Sequence, residues 1–203
     1  DTVALAAHCG SNDGFVKTWY DQSGNANNAT QSATSKMPKI YDGATAAVLL
    51  ENGKPAMLFD GSSDGLSMSA AGGTGSKFGF LTHSVDSSDT KWSLLAETTS
   101  TDVIPLAQSG SGSAGVFGYT MNNIYKDGFS VSPNTRGDIY NAYTSAGQSL
   151  TALDFSGDAV GVMFNRSNFL MQGKAQEVVI YGSDETANRT GIETNINTFY
   201  SIY

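Results

Sequence analysis

The sequence has few of the residues that would cross-link the chain, anchor it in a membrane or bind a transition metal. It contains one cysteine, Cys9, which excludes an intrachain disulfide. A small buried side chain is the usual role of such a residue, and a reactive thiol is the alternative. No apolar run approaches the roughly 20 residues that a membrane span requires. The two histidines, His8 and His83, are too few for a His-rich metal site.

Charged residues are also scarce, at 15% of the chain, and acidic ones predominate. The 19 Asp and Glu residues outnumber the 11 Lys and Arg residues, which gives a net charge of −8. Because no basic patch is present, such a chain repels a phosphate backbone and an anionic membrane surface. The sequence therefore predicts that neither nucleic acid nor a membrane is a partner.

Glycine, by contrast, is abundant with 23 residues, and Ser, Thr and Asn are frequent. This composition favours short strands joined by turns over long surface helices. Apolar strand patterns recur roughly every ten residues without amphipathic helices between them, which is typical of a sandwich or barrel. With 203 residues the chain can bury one core, so we predict a single all-β domain over residues 1–203.

Helices are predicted only outside this strand array. Residues 1–9 can form a short helix before a Gly-rich turn, and residues 136–143 fit helix or strand almost equally well. At the end of the chain a single apolar stripe predicts one further helix, which should lie against a sheet. Its members are Ile192, Ile196, Phe199 and Tyr203.

Three blocks of sequence resemble a known family of β-sandwich domains. They are WYDQSGNANNAT at residues 19–30, ENGKPAMLFDG at residues 51–61, and the segment 173–196. In this order they resemble the concanavalin A-like lectin/glucanase (LamG-like) domains. Relatives in that family include the arabinofuranosidase B catalytic domain and domains of phage tail, virion and bacterial surface proteins. The resemblance implies an antiparallel jelly-roll β-sandwich with a short C-terminal helix.

The resemblance also implies a setting for the chain. Residues 1–5 resemble an internal segment of the related domains, so we expect the chain to be part of a longer polypeptide whose first strand lies upstream of residue 1. An extracellular or virion-surface location is implied. The implied partners are a glycan or cell-surface polysaccharide and other virion or surface-protein subunits.

The catalytic residues of the family do not carry over onto this sequence. Matching the nucleophile segment to residues 118–123 places Asn122 at the nucleophile, and matching the acid segment to residues 161–168 places Asn165 at the acid. An amide can neither attack as an anion nor deliver a proton, so the resemblance implies a domain without catalysis. If a hydrolase survives, the carboxylates to test are Glu97, Asp154 and Glu177.

Aromatic and amide side chains suitable for binding sugars are concentrated in a few places. Carbohydrate recognition combines an aromatic plane with hydrogen-bonding partners for hydroxyl groups. Trp19 and Trp92 lie in apolar strand patterns and are predicted to belong to the core. The predicted ligand-binding residues are Tyr119, Asn122, Asn123, Tyr125, Arg136, Tyr140 and Asn165.

Two oxygen-rich turns resemble calcium loops in part. Asp21 and Asn25 begin an alternation of oxygen ligands, but the later positions of a calcium loop are not matched. Asp60 and Asp64 form a second such turn. Hydrogen bonds that stabilise the turn are the favoured role of these residues, so we predict no cofactor, with calcium as the alternative.

Together these observations predict a non-catalytic module that recognises carbohydrate or displays a surface on a phage virion or bacterial surface protein. A purely structural capsid or tail decoration domain is the first alternative. An arabinofuranosidase-like glycoside hydrolase is the second.

Overall fold

The computed structural model describes residues 1–97, 103–112, 115, 120–144, 146–166 and 169–203. These residues form three α-helices, α1 (Thr2–Cys9), α2 (Arg136–Tyr143) and α3 (Arg189–Tyr200), and a 3-10 turn at Thr34–Lys36. The strands in the first half of the chain are β1 (Gly14–Phe15), β2 (Thr18–Trp19), β3 (Ala29–Thr30), β4 (Lys39–Asp42), β5 (Ala47–Val48), β6 (Leu50–Glu51), β7 (Lys54–Pro55), β8 (Met57–Asp60), β9 (Leu66–Ala71), β10 (Gly75–Val85) and β11 (Lys91–Glu97). Those in the second half are β12 (Val103–Gln108), β13 (Thr120–Lys126), β14 (Phe129–Val131), β15 (Gln148–Gly157), β16 (Val160–Met163), β17 (Asn165–Arg166), β18 (Phe169–Leu170) and β19 (Gln172–Tyr181).

Most of these strands belong to two sheets. The large sheet has the order β1-β4-β8-β19-β10-β15-β13-β14, with β5 added to β4. The small sheet has the order β12-β11-β16-β9-β3-β2, and two short ribbons pair β17 with β18 and β6 with β7. Every pairing between these described strands is antiparallel.

The core lies between the two sheets because alternate side chains of each strand point to opposite faces. On the inner face of the large sheet, Leu81 and Phe155 share one hydrophobic cluster with Leu95 and Met163 of the small sheet. This layering is compatible with a β-sandwich. The predicted mainly β architecture with antiparallel sheets is thus confirmed, whereas jelly-roll connectivity stays a prediction.

The outer face of the large sheet is covered by α3. Phe78, Phe80, Leu150 and Ala152 form a second cluster there with Ile196 and Tyr200 of the helix. The predicted C-terminal helix is confirmed, but its apolar stripe was partly wrong. Phe199 is 59% exposed and Tyr203 lies beyond the helix end, because the buried positions follow the four-residue spacing from Ile192 through Ile196 to Tyr200.

The ambiguous segment 136–143 is a helix. The Thr135 side chain accepts a hydrogen bond from the backbone N–H of Asp138, and the Asp138 carboxylate accepts one from the backbone N–H of Thr135. This capping box satisfies donors that a helix N-terminus otherwise leaves free, which favours helix over strand. In the part of the chain that is described, no helix has the length and apolarity to cross a membrane.

Candidate functional site

A cluster of two amides and one carboxylate lies on the outer face of the large sheet. The Nδ2 atom of Asn122 donates to Oδ1 of Asp154 at 3.0 Å, and Nδ2 of Asn123 donates to Oδ2 of the same carboxylate at 3.3 Å. Asp154 is 7% exposed, whereas both asparagines are exposed to solvent. We call these three residues the amide–carboxylate cluster.

A β-bulge makes the amide–carboxylate cluster possible. The register between β13 and β15 shifts between Met121 and Asn123, so that Asn122 is an additional residue on its strand. In a regular strand two consecutive side chains point to opposite faces, but a bulge re-aims one of them. Both asparagines therefore reach one carboxylate.

Aromatic residues of β10, β19 and β13 lie on the same face as the cluster. Asp154 is directly opposite Phe78, and Phe78 is directly opposite Tyr181 on β19, so these side chains form one row across the sheet. Two residues beyond Asn123, the ring of Tyr125 lies 4.0 Å below the guanidinium carbon of Arg189, which also pairs with Glu193. The cluster thus lies beside the area that α3 covers.

The other predicted ligand-binding residues lie apart from this cluster. Nε of Arg136 donates to the carbonyl of Gly115 at 2.6 Å, and Tyr140 packs half-buried against the main core. Asn165 donates from Nδ2 to the carbonyls of Ser63 and Asp64 at 2.8 and 2.9 Å, which connects β17 to the loop between β8 and β9. Tyr119 is outside the described residues. The structure therefore brings together only Asn122, Asn123 and Tyr125 of the predicted set.

Two of the three carboxylates proposed for a hydrolase are too far apart to act together. Glu177 is opposite Thr82 of β10, and Thr82 is opposite Leu150 of β15, four residues before Asp154. With strands about 4.8 Å apart and about 3.3 Å per residue, the two backbones are about 16 Å apart, whereas a retaining pair of carboxyls needs about 5 to 5.5 Å. The side chain of Glu97 is outside the described residues.

The carboxylates of the two calcium-like turns bond to their own loops. Asp21 accepts from the backbone N–H of Ser23 at 2.8 Å and of Asn27 at 2.9 Å, and these bonds lower its pKa. Asn25 is exposed, and its backbone N–H donates to the hydroxyl of Ser23 at 3.3 Å. Within the described ranges, no three His, Cys, Asp or Glu side chains lie close enough together to hold a metal ion.

The turn of Asp60 and Asp64 separates the pKa values of its two carboxyls. Burial and the charge of Asp60 raise the pKa of Asp64 to about 6. For Asp60 burial also acts upward, but hydrogen bonds from Ser62, Ser63 and Asp64 outweigh it and hold the pKa well below its usual range. At neutral pH both carboxylates accept backbone hydrogen bonds inside the turn.

A groove that the sequence did not predict runs along β19. It is open to solvent, measures about 640 Å³, and lies between β19 and the β2, β3 and β9 side of the small sheet. We call it the β19 groove and define it by Trp19, Asp21, Met68, Glu177, Val178 and Ile180. A signal was present, since residues 177–181 are rich in β-branched side chains and lack Lys and Pro, but only the sheet order reveals that no described strand pairs with one edge of this run.

The geometry therefore offers two distinct surfaces, a polar cluster on the face of the large sheet and a groove at the edge of one of its strands. The cluster contains hydrogen-bonding groups that stay in contact with solvent, and the groove combines apolar side chains with two carboxylates. No protein-family model, no curated protein and no solved structure matches this chain.

Proposed function

We propose that this chain is a non-catalytic carbohydrate-recognition module with a concanavalin A-like jelly-roll sandwich, carried by a phage virion or tail or by a bacterial surface protein. In this proposal it works outside the cell or on the virion surface, and the amide–carboxylate cluster binds sugar hydroxyls. The observation that carries the proposal is the buried carboxylate of Asp154, which orients two exposed amides side by side.

The chemistry of the cluster suits neighbouring hydroxyl groups. Each amide uses one N–H on Asp154, so each retains one N–H donor and one carbonyl acceptor. A sugar hydroxyl both donates and accepts, and two adjacent hydroxyls can therefore bond to both amides. Because both amides bond to one buried side chain, Asn122 and Asn123 are held in place before a ligand arrives.

The charge of the chain favours a neutral glycan. The net charge is −8, and one of the acidic residues, Asp154, lies at the centre of the cluster. An anionic polysaccharide would be repelled unless cations intervened. A neutral cell-surface polysaccharide is therefore the proposed ligand class.

The same residues argue against the hydrolase alternative. Asn122 stands where the resemblance places the nucleophile, and its amide donates to Asp154. Asp154 and Glu177 are also too far apart to act together as a catalytic pair. The hydrolase would regain support if arabinoxylan released reducing sugar and Glu97→Gln or Glu177→Gln abolished that release.

The test is binding to an array of neutral oligosaccharides, followed by titration of the best ligand. Asn122→Ala and Asn123→Ala should each raise the Kd about tenfold, the cost of one or two hydrogen bonds. Asn195→Ala removes an exposed amide on α3, and Asn165→Ala removes an amide that connects β17 to the loop at Ser63. Neither control should change the Kd.

Two results would contradict the proposal. An array without signal at high protein concentration would exclude carbohydrate recognition and favour the structural decoration domain. Binding that survives Asn122→Ala together with Asn123→Ala would exclude this cluster as the site.

A further inference from the structure

Strand β19 is paired along both edges over only part of its length. Residues Gln172–Ala175 pair with β8 on one side, while β10 pairs along the strand on the other side as far as Tyr181. Among the residues that the structure describes, no strand pairs with the β8-side edge of residues 177–181. Alternate backbone N–H and C=O groups of this run are therefore open to a hydrogen-bonding partner.

The terminal strands of both sheets carry protections that residues 177–181 lack. Edge strands β1 and β2 have two residues each and β14 has three, while β12 contains Pro105 and lies against α2. Short strands and proline are common protections of exposed edges, and lysine is another. Residues 177–181 read Glu-Val-Val-Ile-Tyr and carry neither Pro nor Lys. The run has the composition of a strand that is paired on both sides.

Burial along β19 changes at the point where β8 ends. From Met171 to Ala175 buried and half-buried residues alternate, whereas all residues from 176 to 181 are half-buried. Val178 and Ile180 pack against the main core and also line the β19 groove, as do Trp19 and Met68. These apolar side chains therefore belong to the margin of the core, and the groove exposes them to solvent on one side.

The charges in the groove have one sign. Asp21 and Glu177 are the charged side chains among the described residues that line it, and both are acidic. Burial raises the pKa of Glu177, so its charged form is poorly compensated there. A cationic side chain beside Glu177 would compensate that charge.

We propose that the β19 groove binds an extended segment of a partner polypeptide, which adds to the large sheet as a strand beside residues 177–181. Alternate apolar side chains of the segment enter the groove between Trp19, Met68 and Ile180, and a Lys or Arg side chain pairs with Glu177. Five residues of strand span about 17 Å. Backbone hydrogen bonds supply affinity and the alternate side chains supply specificity, as in other cases of strand addition.

The test uses the whole 203-residue chain. A bead library of heptapeptides carries Val, Ile or Thr at alternate positions and varied residues between them. We expect the selected peptides to be enriched in Lys or Arg at the varied positions. In solution they should slow hydrogen exchange at least about tenfold for those amides of residues 177–181 that exchange fast in the free chain. Amides of Phe129–Val131, on the far edge of the same sheet, are the internal control and should not change.

Two matched reagents separate strand addition from simple apolar contact. N-methylation of alternate backbone nitrogens in the selected peptide should abolish binding, because it removes donors and leaves side chains intact. Glu177→Gln keeps the shape of the groove and should weaken binding of a Lys-containing peptide about three- to tenfold. The same substitution should leave a peptide with Ser in place of Lys unaffected.

Three outcomes would overturn this inference: a library that yields no peptide protecting residues 177–181, equal binding of the N-methylated peptide, or protection that appears with rising protein concentration alone. The last result would make a second copy of this chain the occupant. The inference does not depend on carbohydrate recognition, since Asn122→Ala should weaken glycan binding and leave peptide binding unchanged.

Discussion

His83 and Thr151 share a buried hydrogen bond on the large sheet, with 2.8 Å between Nε2 of the histidine and Oγ1 of the threonine. His83 is 1% exposed, and the rings of Trp92 and Tyr143 lie beside it. Burial, with a smaller effect of the charge of Lys126, lowers the pKa of His83 from 6.5 to about 3. The folded protein therefore holds this imidazole neutral over a pH range in which the unfolded chain protonates it.

This relationship predicts a loss of stability in acid. Between pH 6.5 and about 3 the unfolded state binds the additional proton, so His83 lowers the free energy of unfolding as the pH falls through this window. The slope should approach about 1.4 kcal/mol per pH unit. Urea unfolding of wild type and His83→Gln at several pH values tests this prediction. The difference in unfolding free energy between the two proteins should change with pH. An unfolding free energy whose difference between the two proteins stays the same from pH 7 to pH 4 would contradict the lowered pKa of His83.

Asp64 should make the folded protein less stable as the pH rises, which is opposite to the effect of His83. Its pKa is raised from 3.8 to about 6 in the folded state, so the folded protein binds the additional proton and stability falls as the pH rises through this window. In Asp64→Asn the amide oxygen can still accept the backbone N–H of Asp60, without a charge. The stability of the variant relative to wild type should therefore increase from pH 4 to pH 7. A difference that is constant with pH would contradict the raised pKa.

Replacement of glycine by alanine should change stability in opposite directions at two positions. A Cβ at Gly173, where φ is +155°, would lie 2.1 Å from the carbonyl oxygen of Ser84 on β10. Gly173→Ala should therefore cost at least about 2 kcal/mol of unfolding free energy. Gly191 lies in α3, and among the described residues a Cβ built there would meet no atom within 4 Å outside its own turn of helix. Gly191→Ala should therefore add about 0.5 to 1 kcal/mol. Chemical denaturation of both variants measures the contrast.

The core between the sheets should show the usual cost of a cavity. Phe155 is fully buried there, and Phe155→Ala should lower the free energy of unfolding by about 3 to 5 kcal/mol. Phe129 is 76% exposed on β14, and the same truncation there should change stability by less than about 0.5 kcal/mol. Similar losses at both positions in urea titrations would contradict the placement of the core.

Sequence patterns were most reliable where the information is local. The apolar spacing around Ile192 and Ile196 predicted α3, and the burial of Trp92 was predicted from its strand pattern. The end of α3 was misjudged because Phe199 fits the apolar periodicity and yet faces solvent beside the ammonium group of Lys54. Periodicity identifies a helix, but the packing of its neighbours decides which of its apolar residues are buried.

The sites depended on distant partners. Sequence reasoning selected Asn122 and Asn123 as neighbours but could not predict that a bulge directs both onto Asp154, about 30 positions later. Asn165 looked equivalent and instead holds the loop at Ser63 and Asp64. An amide has the same chemistry in a binding site and in a loop contact, and only its surroundings distinguish the two roles.

By itself, the sequence determined the strand-rich composition, the acidic charge and the presence of a C-terminal helix, because these follow from the periodicity and chemistry of neighbouring residues. Tertiary structure alone decided which strands became neighbours, and with that the pairing of β19 with β8 over Gln172–Ala175. Strand pairing joins segments that are far apart in the chain. The amide–carboxylate cluster, and the edge of residues 177–181 that no described strand pairs with, therefore exist only in the folded protein.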